Sequence, residues 1–217
     1  LADRVGSGKT AVVLALVAAG RGRGGGPTLA IVPGRLLRQW QAEVGKFLGG
    51  DALRVAVALP GDAGAHAAGD LGSADLILAP YELCRCQARK RAHGHPEAPQ
   101  HPLLGQQPSR LVIDEVHEAL GPLWPEVLDF ARRLQGCPVW GLSGTPSLET
   151  FDDVATLAEL FGIGLKAFRR QQDAHALAQD ALEHFALAGA AEELAHLQVR
   201  EELVALHHTP AERTIYA

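Results

Sequence analysis

The stretch Leu1-Ala-Asp-Arg-Val-Gly-Ser-Gly-Lys-Thr10 decides the fold. Gly6 and Gly8 let the backbone curl so that successive N–H groups point at phosphate oxygens. A helix starting near Lys9 adds the positive end of its dipole. The pattern predicts a nucleoside triphosphate site built from Asp3, Gly6, Ser7, Gly8, Lys9 and Thr10. Lys9 is placed to reach the β- and γ-phosphates and Thr10 to ligate Mg²⁺, with ATP as the nucleotide. The general phosphate-loop pattern has glycine where this chain has Asp3. The structural alternative is a glycine-rich turn between a strand and a helix. Such a loop follows a β-strand of about 5–6 residues, and only Leu1 and Ala2 stand before Asp3. The sequence, which has no methionine, is therefore expected to be a fragment lacking most of its first strand.

Outward from the loop, apolar runs alternate with helical spacing. Val12 to Ala19 reads as a buried helix. Thr28–Val32, Leu53–Leu59, Asp75–Ala79, Arg110–Asp114 and Val139–Ser143 read as strands. Arg35 to Leu48 carries apolar residues at Leu36, Leu37, Trp40, Val44 and Phe47, which is helical spacing. A helix is expected near Tyr81, and an exposed loop over His93–Ser109. Strands alternating with helices predict a doubly wound parallel sheet, an α/β fold. From Phe151 to Leu206 the composition turns to Ala, Leu, Glu, Gln and His and reads as a helical appendage. The domain expectation is thus 1–150 for the sheet lobe and 151–217 for the appendage and exit segment.

Two further motifs sit at predicted strand ends, where ligands bind in such sheets. In Leu111-Val-Ile-Asp-Glu-Val-His117, Asp114 is the candidate Mg²⁺ carboxylate. Glu115 is the candidate that orients or deprotonates the attacking water. The alternative is an acidic cap at a strand-to-helix junction, with Asp114 as N-cap. His117 is a coupling candidate, or an exposed loop histidine. In Gly141-Leu-Ser-Gly-Thr-Pro146, Ser143 and Thr145 offer hydroxyls to His117 or the carboxylates, and Gly144 with Pro146 sets a sharp turn.

Composition limits the partners. A length of 217 residues suits one α/β domain with an appendage. A formal net charge of −5 argues against gripping nucleic acid through bulk positive charge, and leaves room for a local basic face. The dense basic run Arg85 to Arg91 reads as a phosphate contact or as the solvated end of a helix. Cys84, Cys86 and Cys137 have no paired spacing, so neither a disulfide frame nor a zinc site is expected. The apolar run Ala11–Gly20 is too short to span a bilayer, and no membrane partner is expected.

The segments LADRVGSGKT (1–10), IVPGRLLRQWQAEVGKF (31–47), LILAPYELCR (76–85), LVIDEVHEAL (111–120) and GLSGTPSLET (141–150) stand in the order of motifs I, Ia, Ib, II and III of superfamily 2 ATPases. Their form resembles the Swi/Snf-type chromatin-remodelling family. The segment Val32–Trp40 and the late His208-Thr-Pro-Ala-Glu-Arg-Thr-Ile-Tyr216 favour that family over general helicases. Val116 departs from the commoner small residue of the acidic tetrad, and Ser7 from the family's leucine.

The resemblance implies a RecA-like first helicase lobe with a helical protrusion, and DNA-stimulated ATP hydrolysis with translocation along duplex DNA, often on nucleosomes. It implies a chromatin-remodelling or DNA-repair role, a nuclear location and a second ATPase lobe in the same parent chain, so that this piece alone is expected to be inactive. Lys9, Asp114, Glu115 and His117 become catalytic candidates and Ser143, Gly144 and Thr145 coupling candidates. Pro33, Arg35, Arg38, Gln39 and Tyr81, with Trp40 and Glu82, would lie near the DNA path. The residues themselves leave Leu36, Leu37 and Trp40 open to a core-facing reading. Two alternatives stand beside this one: a superfamily 2 DNA or RNA helicase, and an ATPase-lobe scaffold within a ubiquitin-ligase-type remodeller.

Overall fold

The apolar runs become parallel strands: β1 Thr28–Val32, β2 Val55–Val57, β3 Leu76–Pro80, β4 Arg110–Ile113 and β5 Val139–Gly141. The structure is a computed structural model and describes residues 1–2, 6–21, 25–49, 52–60, 71–85, 102–134, 136–145, 150–162 and 186. The strand order is β2-β3-β1-β4-β5, and every pairing is parallel. All five residues of β1 and of β3 are buried, as expected of strands covered on both faces. Beyond β5 the chain start continues the sheet. Ala2 bridges Ser143 in parallel, the Ser143 N–H donates to the Leu1 carbonyl at 3.0 Å, and the Leu1 backbone nitrogen donates to the Gly141 carbonyl at 2.7 Å.

Alternation along the strands feeds two cores. Leu29, Ile31, Ile77, Ala79, Leu111 and Ile113 face one side with Tyr81, Val127, Phe130 and Ala131. Ala30, Val32, Leu76, Leu78 and Val112 face the other with Val13, Leu14, Val17 and Trp40. Helices α1 (Lys9–Gly20) and α2 (Leu37–Leu48) cover this second face. Helices α3 (Val116–Leu120) and α4 (Pro125–Arg133) cover the first. The doubly wound parallel α/β sheet of the sequence reading is therefore the observed fold.

Local chemistry explains several boundaries. The segment expected to be helical from Arg35 opens as a 3₁₀ turn, Gly34–Leu36, and α2 starts at Leu37. Strand β2 is shorter than the predicted 53–59: Leu53 is buried in the second core outside the ladder, and Leu59 is exposed. Helix α5 (Phe151–Leu160) starts at a capping box, in which Thr150 accepts from the Asp153 N–H and Asp153 accepts from the Thr150 N–H. Its Leu157 and Leu160 pack on the first core, and Arg132 of α4 pairs with Glu159 at 3.3 Å. The first helix after residue 150 thus packs on the sheet lobe. Residues 163–185 and 187–206 of the predicted appendage, the exit segment at His208–Tyr216 and the basic run beyond Arg85 lie outside the described residues. Among the described residues no helix is long and apolar enough to cross a membrane.

Candidate functional site

Every motif segment lies at the C-terminal edge of the sheet, because each follows the end of a parallel strand. Pro33 follows β1, Tyr81 follows β3, Asp114 follows β4 and Ser143 lies just past β5. Strand β5 stands between the chain start and β4: its exit hydrogen-bonds Leu1 on one side, while the Leu142 N–H reaches the Ile113 carbonyl on the other. Adjacent strands lie about 4.8 Å apart, so the phosphate loop and the acidic pair leave the sheet on paths roughly 10 Å apart. That gap suits a metal-bridged phosphate.

The loop has the backbone that its glycines predict. Gly6 and Gly8 adopt φ of +83° and +85°, a region open chiefly to glycine, and a Cβ at either position would meet nothing within 4 Å. Gly8 is also the N-cap of α1, with no side-chain cap and no acidic residue in the first turn. A twelve-residue helix that starts without an acidic side chain in its first turn presents a positive dipole end suited to an anion. Thr10, in the first turn, is half-buried. Asp3 lies outside the described residues.

Asp114 is 6% exposed. Its Oδ2 accepts the indole N–H of Trp40 at 2.7 Å, and its Oδ1 accepts the Glu115 N–H at 3.0 Å. Burial pushes the carboxyl above the ordinary range; the Trp40 hydrogen bond opposes this, the Glu115 charge adds to it, and the Lys9 ammonium pulls it back. Lys9, the first residue of α1, thus acts on the Asp114 carboxyl through its charge. A buried carboxylate held open by two N–H donors, beside an ammonium and a helix N-terminus, fits a magnesium-bound triphosphate. The donor set is oxygen-rich, as Mg²⁺ requires.

Glu115 adopts φ 49° and ψ 49°, a left-handed conformation uncommon for a side-chain-bearing residue and concentrated at functional sites. This turns the chain sharply out of β4 into α3. The Glu115 Oε2 accepts the Gly144 N–H at 3.4 Å and lies 3.3 Å from Nδ1 of His117. The same Nδ1 lies 2.9 Å from Ser143 Oγ, which accepts the Thr145 N–H at 3.2 Å. One polar chain thus joins Glu115, His117, Ser143, Gly144 and Thr145. Asp114 is not an N-cap: the residue at that position is Glu115, and it makes no side-chain cap hydrogen bond.

The proposed DNA-facing residues divide. Arg38 and Gln39 are exposed on α2. Arg35 is exposed and forms a two-point ion pair with Glu118, one bond of which is 3.1 Å. Each partner shifts the other toward its charged form, chiefly through that hydrogen bond. Tyr81 is a correction. It has no exposed surface, so its ring offers nothing to a nucleic acid, and its hydroxyl donates to the Asp114 carbonyl at 2.6 Å. Pro33 is buried as well. Glu82 sits over the 3₁₀ turn, its carboxylate filling the space a Cβ on Gly34 would need. Arg85 is held within the fold, stacked over Trp124 at 4.1 Å and paired with Glu126 at 3.6 Å.

Trp40 and Tyr81 are the two site residues whose roles the sequence reading missed. The core-facing reading of Trp40 holds, since it is 1% exposed, but the indole also serves the site. A buried tryptophan N–H needs an acceptor, and that requirement is the signal that points toward a nearby carboxylate.

Comparison with known proteins agrees with this architecture. The SNF2-related domain matches residues 1–196. No match is found among curated proteins. Among solved structures, the Sulfolobus solfataricus SWI2/SNF2 ATPase core in complex with dsDNA is similar with a TM-score of 0.57 and 23% identity, over 85% of this chain and 34% of that one. The Pyrococcus furiosus Hef helicase domain is similar with a TM-score of 0.54 and 19% identity, over 75% of this chain and 32% of that one. The chain therefore spans about a third of the length of the solved proteins it matches, and at these identities the likeness concerns the fold. The match over residues 1–196 shows that the chain belongs to the SNF2-related domain family, with the RecA-like lobe of its ATPase cores.

Proposed function

We propose that this chain is the ATP-binding lobe of a duplex-DNA-dependent ATPase and translocase that works in chromatin remodelling or DNA repair. The observation that supports the reading is the buried Asp114 carboxylate at the end of β4, held by the Trp40 indole and the Glu115 N–H, on the sheet edge that also carries the left-handed Gly6 and Gly8 and the left-handed Glu115. Family membership supports ATP as the nucleotide, and the relative solved on duplex DNA supports duplex DNA as partner.

Bound ATP with Mg²⁺ supplies the phosphoanhydride to be cleaved and the metal that screens its charge. The N–H groups of residues 6–10 bind the phosphates, and Lys9 holds the terminal one. Thr10 and Asp114 hold the metal. Glu115 Oε2 orients a water and takes its proton. His117 and Ser143 fix that carboxylate and tie it to the turn at Gly144 and Thr145. A second lobe of the parent chain would add the arginine that stabilises charge in the transition state, worth about 10³–10⁵ in rate in related phosphoryl transfer.

The test is ATP hydrolysis by the full-length parent with and without duplex DNA. Stimulation by duplex DNA is expected. Stimulation by single-stranded RNA alone would contradict the reading and favour an RNA helicase.

A further inference from the structure

We infer that Trp40 is a positioning residue for the metal-binding carboxylate, so that α2 sets the orientation of Asp114. The inference rests on the nucleotide-site reading above and goes beyond it, because Trp40 touches neither nucleotide nor metal in that scheme. Three observations carry it. The indole N–H meets Oδ2 at 2.7 Å, across 74 positions of sequence. Both partners are buried, with Trp40 1% and Asp114 6% exposed, so little water replaces this bond if it is lost. The other carboxylate oxygen is already held by the Glu115 N–H, so the indole is what stops the carboxylate from rotating about that single remaining bond.

The arrangement is an outer-shell donor to a metal ligand, the kind of contact that fixes ligand orientation and whose loss costs roughly 10–100-fold in metal affinity. It also gives α2 two duties. The turn of helix that buries the indole exposes Arg38 and Gln39. A partner that draws on those two residues would pull on the same helix that holds Asp114.

The experiment uses the 217-residue chain. Two variants are made: Trp40→Phe, which keeps a ring in the core, and replacement of Trp40 by benzothienylalanine, which keeps the shape of indole but has sulfur in place of N–H. Three quantities are read: Mn²⁺ affinity in the presence of a non-hydrolysable ATP analogue, by electron paramagnetic resonance; affinity for the analogue in EDTA; and melting temperature. The expected result is a loss of Mn²⁺ affinity of about tenfold or more with analogue affinity in EDTA unchanged. If Trp40→Phe fails to fold, the benzothienylalanine protein decides. Wild-type Mn²⁺ affinity in a folded variant would overturn the inference, as would an equal loss with and without metal, which marks a purely structural role. Failure of the wild-type chain to bind Mn²⁺ with the analogue would overturn the nucleotide-site reading itself, and the inference with it.

Discussion

Nδ1 of His117 lies 2.9 Å from Oγ of Ser143, and this contact joins the acidic tetrad after β4 to the turn after β5. Ser143 is 3% exposed and also accepts the Thr145 N–H. Ser143→Ala takes one hydrogen bond from the Thr145 N–H and one from His117, whose Nδ1 keeps Glu115 at 3.3 Å. The expected cost is about 1 kcal/mol of stability by urea unfolding. Nucleotide affinity should hold, while DNA-stimulated turnover of the parent falls by about tenfold or more as Glu115 loses its support. Unchanged turnover would remove Ser143 from the coupling chain.

The left-handed backbone at Glu115 makes a paired prediction. Glu115→Gln keeps the backbone and removes the charge, so the parent should bind ATP and lose roughly 10²–10⁴-fold in turnover. Glu115→Gly removes the steric cost of positive φ and should gain up to about 1 kcal/mol of stability while remaining inactive. Thermal unfolding of the two variants with a single-turnover assay separates strain from chemistry.

Gly141 faces an obstruction. A Cβ there would come within 2.9 Å of the Phe161 ring and 3.0 Å of Val116 Cγ1. Gly141→Ala should cost about 1–3 kcal/mol through overpacking. Adding Val116→Ala should recover part of that loss, a coupling that a double-mutant cycle in urea can measure. Simple additivity would mean that Val116 does not set the space over β5.

At the opposite end of the sheet, Asp75 accepts Arg54 at 3.1 Å and faces Arg21 at 3.6 Å. The Arg54 hydrogen bond holds the carboxyl below its ordinary range against the opposing effect of burial. The folded-state value is thus below the unfolded one. The contribution is complete above the unfolded value and disappears as pH falls through the folded value, in the region below about pH 4. Asp75→Asn should therefore lower stability near about pH 7 and make little difference near about pH 2. A deficit that is equal at both pH values would show that hydrogen bonding alone accounts for the contact.

Most of the sheet was legible because its strands are continuous apolar runs, and β1 falls on the predicted Thr28–Val32. The left-handed turns at Gly6 and Gly8 and the acidic pair at the end of β4 were legible because their spacing is local. What the sequence reading lacked is what tertiary packing decides. The indole of Trp40 and the hydroxyl of Tyr81 find Asp114 across 74 and 33 positions, and no local pattern encodes those pairings. Helices α3 and α4 were not placed, although Pro125 at the first turn and the spacing of Val127, Leu128, Phe130 and Ala131 carry a helix signal. Gly141 reads as an ordinary motif glycine until Phe161 and Val116 are seen against it.

The central claim is that Lys9 and Asp114 serve one magnesium-bound triphosphate. Calorimetric titration of this chain with an ATP analogue, with and without Mg²⁺, tests it directly in the wild type, Lys9→Ala, Asp114→Asn and the double variant. The account predicts that Mg²⁺ tightens binding in the wild type, that each single change removes most of this gain, and that the double change costs much less than the sum. Binding that ignores Mg²⁺, or two losses that simply add, would contradict it.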